Sequence, residues 1–401
     1  MRVLKVDSAK QVKDVMRKIG VDAYGIEIMA SKAFIWHIKI DALSNIAANI
    51  LKQEMLSLGG DVAIARGSLT GRVRKTDCLL MGTLAQLRRL IIKLKAQPFG
   101  LSGLADDLAA ALDNCQKEDF ILQPRAHTLH LSRRTHIMGI LNLTPDSFSG
   151  DGWYKVQSTE RRVQSAIEAA MKMAEEGADI IDIGGESSRP GAKPVSQKEE
   201  IERTQPVIKK LARLTNTPIS IDTYKPEVAK AALESGACII NDITGLRASK
   251  MAKLAAKYKC GVVVMHMKGE PRTMQKNPQY RSLMGEIIEY LGSSIHNAEE
   301  AGVKQDQIII DPGIGFGKTL EHNLEILSNI RELKVLGRPI LVGPSRKSFI
   351  GKILNLPPEE RLYGSVASAA LAALNGAHIV RVHDVRETKE ALKVADAILK
   401  G

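Results

Sequence analysis

Polar and charged side chains recur at the ends of eight short apolar runs in the second part of the chain. They supply carboxylates, amides and cations, and Arg381 and His383 alternate along one run, so both lie on one face, which favours an anion site. Any one of these residues alone could simply begin a loop. Because an unpartnered Asp in a buried Val/Ile run is costly, we expect the set to meet in one pocket. The residues are Asn142, Glu186, Asp222, Asn241, Asp311, Lys347, Arg381 and His383.

The apolar runs indicate parallel β-strands that are buried on both faces. They are rich in Val and Ile and apolar at both alternations. Helical patterns separate them; Val163, Ile167 and Ala170, for example, recur on one helical face. Eight strand-helix units in series predict a (β/α)8 TIM barrel, whose active site lies at the carboxyl ends of the strands. The runs span residues 136–142, 178–186, 218–223, 238–244, 261–267, 307–313, 339–347 and 378–384.

Length and composition indicate a cytoplasmic protein with more than one domain. The 401 residues exceed the roughly 250 of a single TIM barrel, and the excess lies at the N-terminus. No apolar stretch approaches the roughly 20 residues of a membrane helix, and the first residues lack the apolar core of a signal peptide. The four cysteines show neither paired-thiol nor zinc-ligand spacing, which is consistent with a reducing compartment. We expect no membrane partner.

The net charge of +12 raises the question of nucleic acid. Only 4% of the residues are aromatic, so there is little for a base to stack on, and neither part of the chain has a basic tail. An anionic small substrate accounts for part of the charge and a mixed solvated surface for the rest. We therefore expect no nucleic-acid partner.

Residues 1–127 are predicted to form a small N-terminal α/β domain, and residues 128–401 the barrel. The patterns predict helices near 8–19, from Ser44 onward, and over about 84–96 and 102–115, with strands at 34–40, 62–66 and 78–83. Two short extended pieces between 120 and 139 predict a hairpin that closes the N-terminal mouth of the barrel. The domain offers no chemistry, since His37 and Arg88 suit a core or a solvated surface.

Segments along the whole barrel closely resemble the signature segments of dihydropteroate synthases. The resemblance covers about residues 128–401, and the N-terminal domain resembles extensions of some bacterial members. It implies a transferase of folate biosynthesis that condenses 6-hydroxymethyl-7,8-dihydropterin diphosphate with 4-aminobenzoate, giving 7,8-dihydropteroate and diphosphate, and that is a sulfonamide target. The matching segments are NLTPDSFSGDGW (142–153), GGESSRPGAKPVS (184–196), SIDTYKPEVAKAAL (220–233), IINDITG (239–245), VVMHMKGEPRTMQ (263–275), IIIDPGIGFGKT (309–319), GPSRKSFIG (343–351) and VRVHD (380–384).

The resemblance also implies which residues hold the pterin and assist the reaction. A carboxylate can accept two adjacent N–H donors of the amino-pyrimidinone edge, and Asp311 matches that position. A fixed carboxylate at Asp222 would stabilise the positive charge that develops as diphosphate leaves. The implied catalytic residues are Asp222, Lys347 and Arg381. The implied pterin contacts are Asp222, Asn241, Asp311, Lys347 and Arg381, with Met265 and Phe316 as apolar walls.

The other two parts of the implied site serve diphosphate and 4-aminobenzoate. Mg²⁺ prefers oxygen ligands and usually arrives with phosphates, so Asn142 is implied as its one protein contact. The implied diphosphate residues are Asn142, Arg381 and His383. The implied aminobenzoate and lid-loop residues are Phe148, Ser188, Arg189, Pro190 and Ser348. The resemblance further implies a homodimer.

Three other readings compete with this one. A pterin-binding methyltransferase barrel acting with a corrinoid partner would share the pterin residues but would not need ESSRP and SRKSF, which are present. A non-catalytic scaffold would be expected to lack Asp222, Lys347 or Arg381. A Schiff-base aldolase needs a lysine inside a strand, whereas Lys347 follows its strand.

Overall fold

The computed structural model describes residues 1–4, 6, 9–131, 134–144, 158–187, 194–270 and 273–400, the side chain of Lys400 excepted. The chain divides into two compact units, Met1–Asn114 and Cys115–Gly401. The first contains a three-stranded sheet and the second an eight-stranded sheet with a separate two-stranded ribbon. Among the described residues, no helix is both long and apolar enough to cross a membrane.

The N-terminal unit is a three-stranded antiparallel sheet with helices on one face. Its elements are α1 Ala9–Ile19, α2 Ala23–Ala30, β1 Ile35–Ser44, α3 Asn45–Ser57, β2 Asp61–Ile64, α4 Arg66–Leu69, β3 Lys75–Thr83, α5 Leu84–Lys95 and α6 Leu101–Gln116. β3 lies between β1 and β2. Alternate residues of β3, including Cys78 and Leu80, are buried with Leu51 and Leu90 of the helices, as expected for a sheet covered on one side.

Side-chain caps fix where two helices of this unit begin. The hydroxyl of Ser44 accepts a hydrogen bond from the Ala47 N–H, and Thr83 forms a capping box with Gln86. The predicted helix start at Ser44 is confirmed. The sequence patterns did not predict α2, which Asp22 caps, or the single turn α4 between β2 and β3.

The second unit begins with a short hairpin and continues as eight parallel strands. The hairpin is β4 Ile121–Leu122 and β5 Leu129–His130. The barrel strands are β6 His136–Asn142, β7 Ile180–Gly184, β8 Ile219–Asp222, β9 Ile239–Asp242, β10 Gly261–Met265, β11 Ile308–Asp311, β12 Leu341–Val342 and β13 Ile379–Val382. Their spatial order is β11-β10-β9-β8-β7-β6-β13-β12, and a bridge from Ile310 to Ile340 joins the two ends. The predicted TIM barrel is confirmed.

Helices alternate with the barrel strands and cover their outer side. They are α7 Thr159–Glu175, α8 Gln197–Leu214, α9 Pro226–Ser235, α10 Ser249–Tyr258, α11 Leu283–Glu300, α12 Leu320–Ser328, α13 Ser348–Leu354, α14 Leu362–Leu374 and α15 Val385–Lys400. Short 3₁₀ turns occur at Gln305–Gln307, Ile330–Leu336 and Pro358–Glu360. Outward strand residues such as Ile181 and Ile240 pack in one cluster with helix residues such as Ile208.

The hairpin belongs to the barrel unit. Phe120, Leu122 and Leu131 form one buried cluster with interior strand residues that include Ile239 and Val263. Burial of this apolar surface favours the association of hairpin and barrel. The structure therefore divides the chain after residue 114, ahead of the boundary at 127/128 predicted from sequence.

Candidate active site

Four residues of one row across the sheet define the mouth of the barrel. Asn142 is the Cα partner of Gly184, Gly184 of Asp222, and Asp222 of Asn241, across β6, β7, β8 and β9. Because the strands are parallel, their carboxyl ends bring these side chains together. A Cβ on Gly184 would lie 3.5 Å from Asn142 Oδ1 and 3.6 Å from Asp222 Cβ, so the missing side chain leaves this polar row open.

Arg381 connects this row to a second carboxylate inside the barrel. Its Nη2 donates to Asp222 Oδ2 at 2.6 Å, and its Nε donates to Asp182 Oδ2 at 2.6 Å. The same Asp182 oxygen accepts from Asn241 Nδ2 at 3.0 Å. The sequence placed Asp222, Asn241 and Arg381 at the site. The structure joins them in one network with Asp182, which was not expected there.

Burial and charge act in opposite directions in this network. Burial alone would lower the pKa of the Arg381 guanidinium, but the carboxylates of Asp182 and Asp222 raise it above its ordinary value. Burial raises the pKa of Asp222 to about 7, with Arg381 opposing the shift and Asp182 and Glu200 adding to it. Burial thus moves the pKa of Asp222 toward neutral pH, while its two carboxylate partners keep Arg381 charged.

Asp311 ends β11 and is the backbone partner of Met265 on β10. Its Oδ1 accepts from the Gly313 N–H at 2.7 Å. Burial raises the pKa of this carboxyl, against that hydrogen bond and nearby cations such as Lys347. Gly313 has φ +71°, and a Cβ there would collide with the carbonyl oxygen of His266, so the turn that donates to Asp311 requires glycine.

Lys347 lies over an aromatic ring at the same mouth. Its Nζ is 4.3 Å from the Phe316 ring centroid, and its stem passes 3.3 Å from the Cβ position of Gly315. Phe316 and Met265 belong to one buried cluster at the strand ends. The predicted apolar walls and the predicted lysine are therefore together. Ser348 follows as the first residue of α13 and is exposed.

A buried lysine that was not predicted lies behind this wall. Lys318 Nζ is 2.9 Å from His266 Nδ1 and donates to the Phe316 carbonyl at 3.0 Å. Burial lowers the pKa of Lys318 to about 7, with Asp311 opposing the shift, and burial with nearby cations lowers the pKa of His266 to about 2. The histidine is therefore neutral, and when Lys318 is charged its ammonium donates to Nδ1.

His383 and Glu186 take different places. His383 follows β13, and its Nδ1 lies 3.0 Å from Ser345 Oγ. Glu186 instead bonds to Lys225 at 2.5 Å, and Lys225 also contacts Glu200 at 2.6 Å. The sequence pattern extended β7 to 186, whereas the strand ends at Gly184, which is why Glu186 joins this separate cluster beside the row.

Phe148, Ser188, Arg189 and Pro190, expected from sequence at the aminobenzoate entrance, lie outside the described residues.

Sequence reasoning missed Asp182 because it considered only the residues that close each run, although an acid inside ADIIDIGGE was itself a signal. Lys318 gave no such signal, because a lysine in a Gly-rich loop is usually solvated.

Comparison with known proteins identifies the barrel. Residues 138–383, more than half of the chain, match the model of a family described as pterin binding enzymes. A dihydropteroate synthase of Synechocystis is 49% identical over 268 residues, which are 66% of this chain and 91% of that protein. The chain belongs to the dihydropteroate synthase family.

Solved structures and a longer relative extend this similarity. The Xanthomonas albilineans dihydropteroate synthase with 4-aminobenzoic acid has 42% identity and a TM-score of 0.65, covering 71% of this chain and 99% of that one. A probable bifunctional folylpolyglutamate synthase/dihydropteroate synthase of Halobacterium salinarum is 40% identical over 397 residues, which are 99% of this chain and 47% of that protein. This second match includes the N-terminal unit.

The dihydropteroate synthase site offers one amide oxygen to a divalent cation. Asn142 Oδ1 lies beside Asp222 across Gly184. Among the described residues, no group of three or more His, Cys, Asp or Glu could hold a metal ion. A single protein oxygen fits Mg²⁺, which keeps several waters and binds together with substrate phosphates.

Proposed function

We propose that the barrel condenses 6-hydroxymethyl-7,8-dihydropterin diphosphate with 4-aminobenzoate, giving 7,8-dihydropteroate and diphosphate. The observation that carries this proposal is the Arg381 network, in which one guanidinium joins Asp222 and Asp182 beside the row of Asn142 and Asn241. It supplies both acceptors for a heterocycle and a fixed cation for an anion in one pocket.

The pterin is proposed to lie between Asp311 and the Met265–Phe316 wall. The Asp311 carboxylate accepts two N–H donors from the amino-pyrimidinone edge, and its Gly313 hydrogen bond holds it in place. Asn241 adds a contact to the same ring. Lys347, whose Nζ lies over Phe316, donates to the carbonyl side of the pterin.

In the bond-breaking step, the methylene carbon–oxygen bond breaks and its electron pair leaves with diphosphate. Positive charge spreads from the methylene into the pterin, and the ionised Asp222 stabilises it electrostatically. The amine nitrogen of 4-aminobenzoate then forms the new C–N bond and loses a proton to solvent. No covalent intermediate with the protein is required.

The leaving diphosphate is proposed to bind Asn142, Arg381 and His383. The guanidinium has N–H groups beyond the two that hold Asp182 and Asp222, and these can donate to phosphate oxygens. Asn142 Oδ1 would hold Mg²⁺ together with the diphosphate, and the bound ion would supply positive charge that offsets the charge of the leaving group. For 4-aminobenzoate we propose Ser348, with Phe148, Ser188, Arg189 and Pro190 assigned on the family resemblance.

We further propose that the protein acts in the cytoplasm as a homodimer and without nucleic-acid or membrane partners. No role is assigned to the N-terminal unit. The match to the longer Halobacterium relative includes this unit, and that relative is named as a probable bifunctional folylpolyglutamate synthase/dihydropteroate synthase.

The proposal is tested with the purified full-length chain, the dihydropterin diphosphate, Mg²⁺ and 4-aminobenzoate, and with dihydropteroate detected by mass spectrometry. We expect product, competitive inhibition by a sulfonamide, and a loss of at least about 100-fold in kcat/KM for Asp311→Asn. The matched control is Asp306→Asn, which should retain activity. Asp306 lies in the 3₁₀ turn just before β11, at the end of the strand opposite to Asp311. Pterin binding without product would reject the enzyme proposal.

A further inference from the structure

Asp182 reaches across the barrel interior to strands that are not its neighbours. It lies in the middle of β7, which pairs with β6 and β8, and its side chain is fully buried. Its Oδ2 accepts from Arg381 on β13 at 2.6 Å and from Asn241 on β9 at 3.0 Å. One buried oxygen therefore holds two residues that are proposed above to contact the substrate.

The chemistry of a carboxylate fixes the polarity of both contacts. An ionised carboxylate only accepts hydrogen bonds, so Asn241 must turn its amide nitrogen toward Asp182, and its oxygen is left to accept from another group. Arg381 is held at Nε by Asp182 and at Nη2 by Asp222, which fixes the plane of the guanidinium. Both side chains are thereby ordered before substrate arrives, which reduces the entropy lost on binding.

We infer that Asp182 is a positioning residue that sets the orientation of Arg381 and Asn241 toward the pterin diphosphate. This inference deepens the proposed function and rests on it. Asp182 acts through its two partners and does not itself contact the reacting atoms. The donor that the substrate presents to the Asn241 oxygen is an N–H of the pterin ring.

The variant Asp182→Asn tests this role with almost no change in volume. Its amide oxygen can take the place of Oδ2, and its amide nitrogen can take the place of Oδ1, which has no hydrogen-bond partner among the described residues. Arg381 and Asn241 then keep an acceptor but lose the negative charge that strengthens both hydrogen bonds. We expect KM for the dihydropterin diphosphate to rise at least about tenfold while KM for 4-aminobenzoate changes by less than about twofold. The control is Ser220→Ala, because Ser220 is the buried β8 partner of Asp182 and its hydroxyl has no hydrogen-bond partner within the described chain.

The pH profile gives a second readout that a loss of packing would not move. The charged groups that act on Asp222 are Arg381, Asp182, Glu200 and Lys347. Burial is the main cause of the raised pKa of Asp222, and the negative charge of Asp182 adds to it. Removing that charge should shift the acid limb of kcat/KM to lower pH, whereas Ser220→Ala should leave it in place.

Each outcome decides the inference. The inference is overturned if Asp182→Asn leaves both the KM for the dihydropterin diphosphate and the acid limb of kcat/KM unchanged. It is also overturned if Asp182→Asn raises the KM of both substrates equally and Ser220→Ala does the same. If Asp182→Asn does not fold, Asp182→Ser is assayed by the same criteria. If the unaltered protein forms no dihydropteroate, the proposed function fails; calorimetric affinity for the dihydropterin diphosphate is then compared between the unaltered protein and Asp182→Asn, with the same tenfold criterion.

Discussion

Lys318 Nζ lies 2.9 Å from Nδ1 of the neutral His266, and both side chains are buried behind the Phe316 wall. A buried ammonium that faces a neutral imidazole gains a hydrogen bond but no opposite charge from it. Asp311 supplies the nearby negative charge, yet burial still lowers the pKa of Lys318 to about 7. This pair therefore makes the stability of the barrel depend on pH.

Lys318→Met should remove that dependence. Between about pH 7 and the ordinary pKa near 10.4, the unfolded chain binds a proton at Lys318 that the folded chain does not, so stability rises with pH. We expect the unfolding free energy of the unaltered protein, measured by urea unfolding, to increase between pH 7 and 9.5 relative to that of Lys318→Met. The exposed Lys253→Met is the control. Parallel pH curves for the unaltered protein and Lys318→Met would contradict the prediction.

The acid limb of activity should report Asp222. Burial, opposed by Arg381, raises the pKa of Asp222 to about 7, so the ionised form that stabilises the pterin cation is lost below that pH. We expect kcat/KM to fall about tenfold per pH unit below about pH 7. Asp222→Asn should lower kcat at least about 100-fold and remove this limb. If the Asn variant keeps the same limb, the titrating group is elsewhere.

Lys225 should be important for stability. Its ammonium contacts Glu186, Glu200 and the Val195 carbonyl, and the Glu200 side chain is only 1% exposed. Lys225→Met leaves the Glu200 carboxylate buried and unpaired, which should cost about 3–5 kcal/mol in urea unfolding. The control is Lys230→Met on α9, the helix that follows Lys225, where an exposed pair with Glu234 contributes less than about 1 kcal/mol.

A rescue variant separates charge from packing at this cluster. Lys225→Met combined with Glu200→Gln removes the buried charge together with its partner, so most of the lost stability should return. A double variant as unstable as the single one would show that the Lys225 stem, and not its charge, supports this region.

The barrel could be predicted from sequence because strands buried on both faces have an unmistakable composition. Candidate site residues were recognised where polar residues close a strand: Asp222 ends β8, Asp311 ends β11, and Asn241 precedes the last residue of β9. Asp182 could not be recognised as a site residue in this way, because its partners Arg381 and Asn241 lie on strands that only the closed barrel brings near it. The burial of Lys318 likewise depends on tertiary packing rather than on local pattern.

Strand lengths were the least predictable feature. The run at 339–347 forms only the two-residue strand β12, and its last residues instead form a turn that leads to Lys347, the N-cap residue of α13. Pro344 has no N–H to donate to a sheet, which ends the pairing there. Lys347 consequently lies at the N-terminal end of a helix, a position that sequence periodicity alone does not reveal.

Gly313→Ala should damage the pterin site. The residue has φ +71°, and a Cβ would collide with the His266 carbonyl, so the turn that donates to Asp311 must shift. We expect a loss of at least about 1–3 kcal/mol of stability and a raised KM for the pterin substrate. The matched control is Gly292→Ala inside α11, where the nearest atom is 3.6 Å away and stability should rise by about 0.5–1 kcal/mol.

The position of the hairpin predicts where the barrel can be separated from the N-terminal unit. Phe120 and Leu122 are buried with interior barrel residues, so a fragment that begins at Cys115 keeps this cluster and one that begins at Arg125 removes β4. Loss of two buried large side chains should cost several kcal/mol, at about 2–5 kcal/mol each. We therefore expect the Cys115 fragment to retain dihydropteroate synthesis and to melt well above the Arg125 fragment in differential scanning calorimetry. Equal melting temperatures would show that the hairpin adds no stability, and an inactive, folded Cys115 fragment would show that the N-terminal unit is needed for catalysis.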